Sequence, residues 1–596
     1  MQLKLKRVKE LFEYFLESVK KDGLLKSVYK VALFFKTRMK RKGRFLPEKQ
    51  ENERQRLENL QGPLVSIVTP LYNTPEGFLK EFIQSVINQT YANWQLCLAD
   101  ASDKENTVVK EVVKSFHDER IKYIKLTDNG GISTNTNKAA KMAEGEYLCF
   151  ADHDDILSPN ALYEIAKVIN ETGAEFIYSD EALFEKNILK PKVGHFKPNY
   201  SPEYLRANNY IGHIVCIKKE LFWAAGALRP EMDGSQDHDL NLRICEKTDA
   251  IYHIPKVLYY WRVHGQSTSS GAEAKPYVIE AGVKAVQEHL NRTEKNATVI
   301  KGPFDSTYRV KYEIEGAPLV SILIPNKDHI EDLKILLKSI YQKTTYTNFE
   351  IIIIENNSES ETTFYYYEVI QKEHENLRVL YFEGVFNFSA INNYGRQFAK
   401  GEFLLLLNND IEVITPGWLT DMVGYCLQEE VGIVGAKLLY SDDTVQHAGI
   451  IVGLGGYAGH NHKYFENGKS GYMFRLAVAQ NLSGVTAACM LVKTRVFDEV
   501  NGMDEIFSVA YNDVDFCLRV REKGYLIVYT PYAQLYHYES KSRGLDTKGD
   551  AKLRFENEKK LMKERYGDKL LQDPYYSPNL TLDAENFAEN PVLPKV

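Results

Sequence analysis

Short, largely apolar runs alternate with amphipathic stretches along most of the chain. The first run, at 63–70, ends in proline, and apolar residues then recur over 78–86 at the three- and four-residue spacing of a helix. Further apolar runs cover 94–99 and 147–151, with a second helical stretch between them. Strands that alternate with helices predict an α/β domain with a mostly parallel sheet, whose ligands bind beyond the carboxyl ends of the strands.

The same pattern occurs twice in the chain. The segment PLVSIVTP at 63–70 returns as PLVSILIP at 318–325, which is 255 residues later. The segment at 144–154, which ends in acidic residues, returns at 400–410 with a spacing of 256. Because the two spacings agree to within one residue, the sequence predicts two tandem domains of one Rossmann-like α/β fold.

The repeat sets the predicted domain boundaries. A basic helical region precedes the first copy, a polar connector separates the copies, and a tail follows that begins as charged helical sequence and ends rich in Pro, Asn and Asp. We expect the tail to serve packing or docking. The predicted segments are the N-terminal region 1–62, the first domain 63–292, the connector 293–317, the second domain 318–544 and the tail 545–596.

Charge is unevenly distributed along the chain. The net charge of −7 argues against a nucleic-acid-binding protein, yet residues 1–45 contain 14 Lys or Arg and 4 Asp or Glu. Lysines beside apolar residues at helical spacing over 7–42 predict peripheral contact with an anionic membrane surface through residues 1–45. Alternatively, this helix packs on a domain of the same chain and turns its charge to water.

Two further properties bear on location. No apolar stretch approaches the ~18 residues that are needed to span a bilayer. The seven cysteines are dispersed and form no CxxC pair, which suits a reducing compartment. We therefore expect a cytoplasmic protein, peripheral at the inner face of the cell membrane.

Acidic residues follow the third apolar run of each copy. Asp152 and Asp154 come directly after the run at 147–151, and Asp410 stands at the same point of the second copy. Carboxylates at a strand end can hold a hard divalent cation together with a diphosphate. The alternative is that these residues only cap the next helix.

Two further polar motifs follow in the same order in both copies. An Asp-x-Asp precedes a helical stretch at 237–239 and again at 513–515, and a late histidine comes after the next strand, at His264 and at His537. Repetition of the whole series favours a functional site over isolated capping residues.

The order of these parts resembles the family 2 glycosyltransferases of the GT-A fold. The likeness covers about 63–270 and 318–544, and so most of the chain. The phrases at 209–213, 481–486 and 536–540 resemble a narrower group, the tandem bacterial enzymes that build rhamnan, O-antigen or related surface polysaccharides.

The resemblance implies roles for residues of the first domain. Asp154 would be the main contact of a divalent cation, Mn²⁺ or Mg²⁺, with Asp152 beside it on the sugar or ribose side. His264 would be a further contact of the metal or the diphosphate. Asp237 would be the general base of an inverting single displacement, in which it takes the proton of the acceptor hydroxyl.

The resemblance also implies residues for the nucleotide sugar. Those of the first domain are Pro70, Tyr72, Asn73, Asp100, Ser102, Asn137 and Asp152. Those of the second domain are Pro325, Asn326, Glu355, Asn356, Asn393 and Asn408. Many relatives carry Arg just before the position of Asn137, where this chain has Thr136, so the phosphate contacts are expected to differ.

The second domain departs further from the family pattern. It keeps Asp410 and His537 as implied metal ligands and Asp513 as the implied base, but Asn408 replaces one carboxylate of the metal motif. Glu412 is a candidate to compensate. His460 and His462 flank an Asn and could suggest a metal site, but no Cys or third ligand is near in the sequence, and we expect both to face solvent.

Together these features predict an enzyme with two sugar-transferring domains. Its donors would be nucleotide-diphosphate sugars, dTDP-rhamnose or a UDP-sugar, and its acceptor a lipid-linked oligosaccharide that grows into a surface polysaccharide. Two alternatives stay open. Only the first domain is catalytic and the second binds acceptor, or the chain is a non-catalytic scaffold that binds nucleotide sugars.

Overall fold

A computed structural model describes residues 45–264, 276–538 and 549–590. The basic N-terminal helix that the sequence predicts, and its membrane contact through residues 1–45, lie outside the described residues except for Phe45. Among the helices that are described, none is long and apolar enough to cross a membrane.

The first domain is built on one mixed sheet. Its strand order is β3-β2-β1-β4-β8-β6-β9-β5, and β7 pairs with β6. These strands are β1 (Val65–Leu71), β2 (Trp94–Asp100), β3 (Ile121–Lys125), β4 (Tyr147–Phe150), β5 (Ile156–Leu157), β6 (Phe176–Phe184), β7 (Val193–His195), β8 (Val215–Lys218) and β9 (Ile251–Arg262). Strands β1 to β4 pair in parallel, whereas β8 is antiparallel to both of its neighbours.

Helices cover this sheet and complete an α/β domain. They are α1 (Lys49–Glu58), α2 (Glu76–Ile87), α3 (Val108–Ser115), α4 (Ile132–Lys141), α5 (Ala161–Thr172), α6 (Pro202–Ala207), α7 (Lys219–Ala224), α8 (Gln236–Cys245) and α9 (Pro276–Arg292). The apolar face predicted over 78–86 is the buried face of α2, where Phe82 and Ile83 are fully buried. Strand β2 is buried along its whole length, which is why its sequence is nearly continuously apolar.

The polar connector predicted at 293–317 contains an antiparallel hairpin, β10 (Ala297–Lys301) and β11 (Tyr308–Tyr312). Tyr308 packs against α9 at Gly282, where a β-carbon would meet the Tyr308 hydroxyl oxygen at 1.7 Å. Only glycine fits this close approach. The hairpin is therefore part of the packed structure between the two domains.

The second domain repeats the first sheet strand for strand. Its order is β14-β13-β12-β15-β22-β17-β23-β16, with β18 on β17 in the place of β7, and β21 pairs with β23. The strands that follow the hairpin are β12 (Val320–Asn326), β13 (Phe349–Glu355), β14 (Leu377–Tyr381), β15 (Phe403–Leu407), β16 (Ile411–Val413), β17 (Val431–Leu439), β18 (Val445–His447), β19 (Ile450–Val452), β20 (Ala458–His460), β21 (Gln480–Asn481), β22 (Cys489–Lys493) and β23 (Leu526–His537). The prediction of tandem α/β domains of one fold is confirmed.

The helices of the second half occupy corresponding positions. They are α10 (Ile330–Lys343), α11 (Glu361–Glu373), α12 (Phe388–Arg396), α13 (Trp418–Cys426), α14 (Thr494–Glu499), α15 (Asn512–Glu522) and α16 (Gly549–Tyr566). Short 3₁₀ turns cover Pro230–Met232, Leu454–Gly456, Tyr472–Phe474 and Gly567–Leu571.

Helix α16 of the tail packs on the second domain. Glu558 accepts hydrogen bonds from the Ser508 hydroxyl and from the backbone N–H groups of Val509 and Ala510. The Tyr566 hydroxyl donates to Asp515 at 2.7 Å. The tail thus serves packing, as the sequence suggests.

The two domains share one hydrophobic core and a polar contact at its edge. The Asn481 side-chain oxygen accepts from the Ser201 hydroxyl at 3.0 Å and from the Glu203 backbone N–H at 2.9 Å. Tyr204 of the first domain and Val478 of the second belong to the same buried cluster. The domains are therefore packed against each other as one body.

Residues 573–590 cross from the second domain to the first. The backbone N–H of Val452 donates to Asp573 at 2.8 Å, which holds the start of this segment on the second domain. Farther along, Asn579 donates from its side-chain amide to Asp180 at 2.9 Å and to the Pro255 carbonyl at 2.8 Å in the first domain. Phe587 packs in a cluster with residues of both domains, among them Phe184. We call residues 573–590 the crossing segment.

We expect Asn579→Ala to destabilise the protein by about 1–3 kcal/mol, because it removes a partner of the fully buried Asp180 carboxylate. The shift of the thermal unfolding midpoint measures this loss. The exposed Asp583 lies in the same segment. Asp583→Ala should change stability by less than about 0.5 kcal/mol, and equal shifts for both variants would contradict the role given to Asn579.

His462 gives the stability a defined pH dependence. It is buried and stacks on Phe587, and burial, with added repulsion from Arg475 and Lys437, lowers its pKa from 6.5 to about 3. Below pH 6.5 the unfolded chain binds a proton at this position that the folded chain excludes, so stability falls as the pH falls. At pH 5 this difference amounts to about 2 kcal/mol. The variant His462→Phe should lose less stability than the wild type between pH 7.5 and 5 in urea titrations, and equal losses would contradict this assignment.

Candidate active sites

In the first domain, the turn after β4 meets the end of β9. The Asp154 carboxylate lies 2.8 Å from the Nε2 atom of His264, so two predicted metal ligands that are far apart in sequence are neighbours. The Arg262 guanidinium donates to the Asp154 carbonyl oxygen at 2.5 Å. This bond holds the turn against the strand that leads to His264.

Asp155 and Tyr259 brace this turn, although sequence reasoning assigned no role to either. The buried Asp155 carboxylate accepts from the Tyr259 hydroxyl at 2.7 Å and from the Arg262 backbone N–H at 2.6 Å. The Tyr259 hydroxyl also accepts from the backbone N–H of Asp152 at 3.0 Å. Burial raises the pKa of Asp155, and the charges of Asp152 and Asp154 add to that rise.

The predicted base Asp237 lies in the first turn of α8. One of its carboxylate oxygens accepts from the Asn209 side chain at 2.9 Å, and Asn209 in turn accepts from Asn241 at 3.1 Å. The charges of Asp237 and Asp152 interact, so the two carboxylates lie near each other, and we call the space between them the first cleft. Desolvation raises the pKa of Asp152, the His213 imidazole opposes this rise, and the negative charges of Asp154 and Asp237 add to it.

Asp239, the second acid of that motif, has a structural part. It is fully buried and accepts hydrogen bonds from Arg229 and Arg243. Burial alone would raise the pKa of Asp239, but the bonds from the two guanidinium groups outweigh it and hold the pKa below its ordinary value. In the second domain Asp515 is held in the same way by Arg519 and Arg565.

The residues predicted for the nucleotide of the first domain lie together at the ends of β1 and β2. The buried Asp100 carboxylate accepts from the Ser102 backbone N–H at 2.8 Å, from the Tyr123 hydroxyl at 2.7 Å and from Lys125 at 3.2 Å. Asn73 donates from its backbone to the Ser102 hydroxyl at 2.8 Å.

The neighbouring Pro70 pairs with Ala99 across these strands, and the Tyr72 side chain is 46% exposed. Tyr72 is thus accessible at this edge, whereas both oxygens of Asp100 are already bonded within the protein.

Asn137 and Asn393 make one contact that the repeat preserves. The Asn137 amide bonds both the carbonyl and the N–H group of Leu228, at 2.7 and 3.1 Å. Asn393 bonds the backbone of Met503 in the same way, at 2.8 and 2.9 Å. In each domain the amide ties a helix to the loop before the Asp-x-Asp motif.

The second domain has its own carboxylate–imidazole pair. The Asp410 Oδ1 atom lies 3.2 Å from the His537 Nε2 atom, and the Asn408 amide is also 3.2 Å from Nε2. His537 Nδ1 lies 2.7 Å from the Gln446 side-chain oxygen, which can only accept a hydrogen bond. Nδ1 therefore carries a proton, and Nε2 is the ring atom that lies toward the Asp410 carboxylate.

The late histidines reach their aspartates from different strand positions. In the second domain Glu412 pairs with Tyr536, and in the first domain the equivalent Ile156 pairs with Tyr260. Tyr260 therefore corresponds to Tyr536, and the next residue, Trp261, corresponds to His537. His264 lies three residues farther along, beyond the end of β9. The sequence order is thus the same in both copies, but the register differs.

Asp513, the predicted base of the second domain, lies in the first turn of α15. Its carboxylate accepts from the backbone N–H groups of Val514 at 2.8 Å and Ala487 at 3.4 Å. Burial raises the pKa of Asp513, while the nearby His460 opposes the rise.

His460 and His462 do not both face solvent, which corrects the sequence expectation. His462 is buried, and His460 lies 3.3 Å from His447 and from the Gln446 carbonyl. The sequence gives no signal for Gln446, which reaches His537 because β18 and the distant strand β23 both pair with β17.

Hydrogen bonds within the protein engage three of the predicted nucleotide residues of the second domain, Asn326, Glu355 and Asn356. Asn326 donates to the Tyr367 hydroxyl at 2.7 Å, and Tyr367 donates to Glu355 at 2.7 Å. The Asn356 amide donates to the Phe382 carbonyl at 3.1 Å. Pro325 pairs with Ile354 on the central strands. Asn326, Glu355 and Asn356 are buried.

Comparisons with known proteins match both domains of the chain. A family model, "Glycosyl transferase family 2", matches residues 66–220 and 321–500, once in each domain and over more than half of the chain. An uncharacterized protein, y4gI of Sinorhizobium fredii, is 42% identical over 541 residues, which are 89% of this chain and 59% of that protein. O-antigen biosynthesis protein RfbC of Myxococcus xanthus is 36% identical over 527 residues, 88% of this chain and 40% of that protein.

The chain therefore spans 59% and 40% of the length of these two relatives. Among solved structures, S. aureus TarS in complex with UDP-GlcNAc is similar over 38% of this chain and 66% of that chain, with 20% identity and a TM-score of 0.33. Each of the two family matches lies within one of the two α/β sheet domains, and the chain belongs to glycosyl transferase family 2.

Proposed function

We propose that both domains catalyse an inverting, metal-dependent sugar transfer. The observation that carries this proposal is the recurrence of one arrangement on two sheets of the same topology. Each domain has an Asp–His pair beyond β4 or β15, at 2.8 Å in the first and 3.2 Å in the second, and a separate aspartate in the first turn of a helix. Recurrence after the sequences have diverged elsewhere favours a shared chemical requirement.

The aspartate on the helix is the general base. Asp237 takes the proton of the acceptor hydroxyl as that oxygen bonds to the anomeric carbon, the bond from that carbon to the diphosphate oxygen breaks, and the diphosphate leaves. Attack and departure occur on opposite faces, so the anomeric configuration inverts. Asn209 keeps the carboxylate turned toward the cleft. Burial raises the pKa of Asp513 and so strengthens it as a base in the second domain.

The donor atoms of both Asp–His pairs fit a divalent cation. Carboxylate oxygen and imidazole nitrogen are ligands that Mn²⁺ accepts, and the Asp410 Oδ1 atom lies 3.2 Å from the His537 Nε2 atom. Among the described residues no cluster of three or more such side chains occurs, so substrate oxygens would complete the shell. When bound, the cation supplies neutralisation of the charge that develops on the departing diphosphate.

The donor and the acceptor are proposed from the relatives. Similarity to an O-antigen biosynthesis protein supports transfer to a lipid-linked oligosaccharide of a surface polysaccharide, at the cytoplasmic face of the membrane that residues 1–45 would contact. A dTDP- or UDP-linked sugar is the donor class, and dTDP-rhamnose is the first candidate.

A second candidate function assigns catalysis to the first domain alone. It is favoured by Asn408, which stands where the first domain has Asp152 and which is engaged with His537. It is also favoured by Glu355, which is bonded to Ser358 and Tyr367 at the nucleotide end. The second domain would then bind the acceptor.

Substituting the general base of one domain at a time distinguishes the two candidate functions. We expect Asp237→Asn and Asp513→Asn each to slow one of two transfer steps by about 10²- to 10⁴-fold, because each removes the proton acceptor of one domain. Mass spectrometry of a synthetic lipid-linked acceptor, incubated with donor and Mn²⁺, counts the sugars that are added. The exposed Asp249 gives a matched control, and Asp249→Asn should elongate like the wild type. Undiminished elongation by Asp513→Asn would refute the proposal of two active domains.

Metal removal provides an independent test. Treatment with EDTA should abolish both transfers, and Mn²⁺ or Mg²⁺ should restore them. The double variant Asp154→Ala/His264→Ala should bind Mn²⁺ at one site fewer than the wild type in equilibrium dialysis with the nucleotide diphosphate present. Unaltered transfer in EDTA, or an unaltered Mn²⁺ stoichiometry, would refute the proposed metal sites.

A further inference from the structure

His213 occupies a position in the first cleft that the proposed mechanism does not use. Its Nε2 atom lies 3.8 Å from the Asp152 carboxylate, which is too long for a direct hydrogen bond. Its side chain is 23% exposed, and that of Asp152 is 42% exposed. Both groups therefore present polar atoms to the space of the cleft.

A buried network fixes His213 from behind. Its backbone N–H donates to Glu181 at 2.8 Å, and its carbonyl oxygen accepts from the ammonium of Lys197 at 2.5 Å. Lys197 is fully buried and also contacts Glu181 at 3.1 Å. The His213 ring stacks on Tyr259, with ring centroids 5.0 Å apart. The buried ion pair fixes the His213 backbone and Tyr259 fixes its ring, so the imidazole is pre-organised for a partner.

The second domain lacks this pair of groups. The repeat places Asn408 at the position of Asp152. Ala488 stands at the position of His213, because β15 pairs with β22 in the same register as β4 pairs with β8. The contact that supports the turn is also apolar in the second domain. Ile411 and Leu535 stand there at the positions of Asp155 and Tyr259. The four differences lie at one point of the fold.

We propose that His213 and Asp152 together bind a hydroxyl group of the donor sugar in the first domain, and thereby distinguish its donor from that of the second domain. This inference rests on the proposed function. A hydroxyl both donates and accepts, so it can bridge the imidazole and the carboxylate.

The position of the pair favours the sugar over the nucleotide and the acceptor. Asp154 and His264 lie on the diphosphate side, and Asp237 is the base that meets the acceptor. The transferred sugar must lie between these groups, and Asp152 interacts electrostatically with both Asp154 and Asp237. The nucleotide residues around Asp100 lie at the ends of different strands, β1 and β2.

Kinetics of the first domain alone test the pair. In an Asp513→Asn background, transfer would be measured from four donors: UDP-galactose, UDP-N-acetylglucosamine, GDP-mannose and dTDP-rhamnose. The inhibition of this transfer by each free nucleotide diphosphate would be measured in parallel. We expect His213→Ala to lower kcat/KM for the preferred donor about 10- to 100-fold, because one hydrogen bond to a charged site is lost. The inhibition constant of the free nucleotide should change by less than about twofold, since the nucleotide lies elsewhere.

Two further variants serve as a partial rescue and as a control. His213→Gln keeps a polar amide near Nε2 and should recover part of the loss, while the exposed His117, changed to Gln, should behave as the background. Equal melting temperatures would show that the fold is intact. An unchanged kcat/KM in His213→Ala, or equal losses for donor and free nucleotide, would overturn this inference alone. Absence of transfer from any donor by the background protein would overturn both this inference and the proposed function.

Discussion

In each domain the last long strand, β9 or β23, pairs with the segment that follows the acidic turn, β5 or β16. This pairing determines where the proposed chemistry can occur. In the first domain this contact is polar, because the buried Asp155 must be satisfied by Tyr259 and by the Arg262 backbone. In the second domain Ile411 and Leu535 make it with apolar side chains. Either solution brings a carboxylate and an imidazole together, so the fold tolerates exchange of the brace as long as the strands pair.

The sequence predicts the framework and the acids at its edges for a physical reason. Asp154 and Asp410 end apolar strands, and an α/β sheet gathers the ends of its parallel strands at one edge. Local sequence cannot show which polar residue is bonded within the protein and which faces the site. Asp239 looks as suitable as Asp237, yet two arginines hold it, and Asn137 bonds a backbone rather than facing open space.

Residues whose neighbours are set by strand register stay invisible until the fold is known. The histidines at 264 and 537 have similar sequence surroundings, but they stand three positions apart in register. Gln446 meets His537 because β18 and β23 both pair with β17, and His213 meets Asp152 because β8 pairs with β4. Duplication thus preserved topology more strictly than the identity of the groups that line each cleft, which lets one scaffold hold two different binding surfaces.

The crossing segment links the completion of the first domain to the translation of the chain. The first sheet is synthesised and can collapse long before residue 579 is made, but Asp180 at its centre receives its bond from Asn579 only afterwards. A nascent chain that stops short of this segment would retain a buried carboxylate with one donor fewer. The ribosome must therefore pass through the entire second domain before the bond from Asn579 to Asp180 can form.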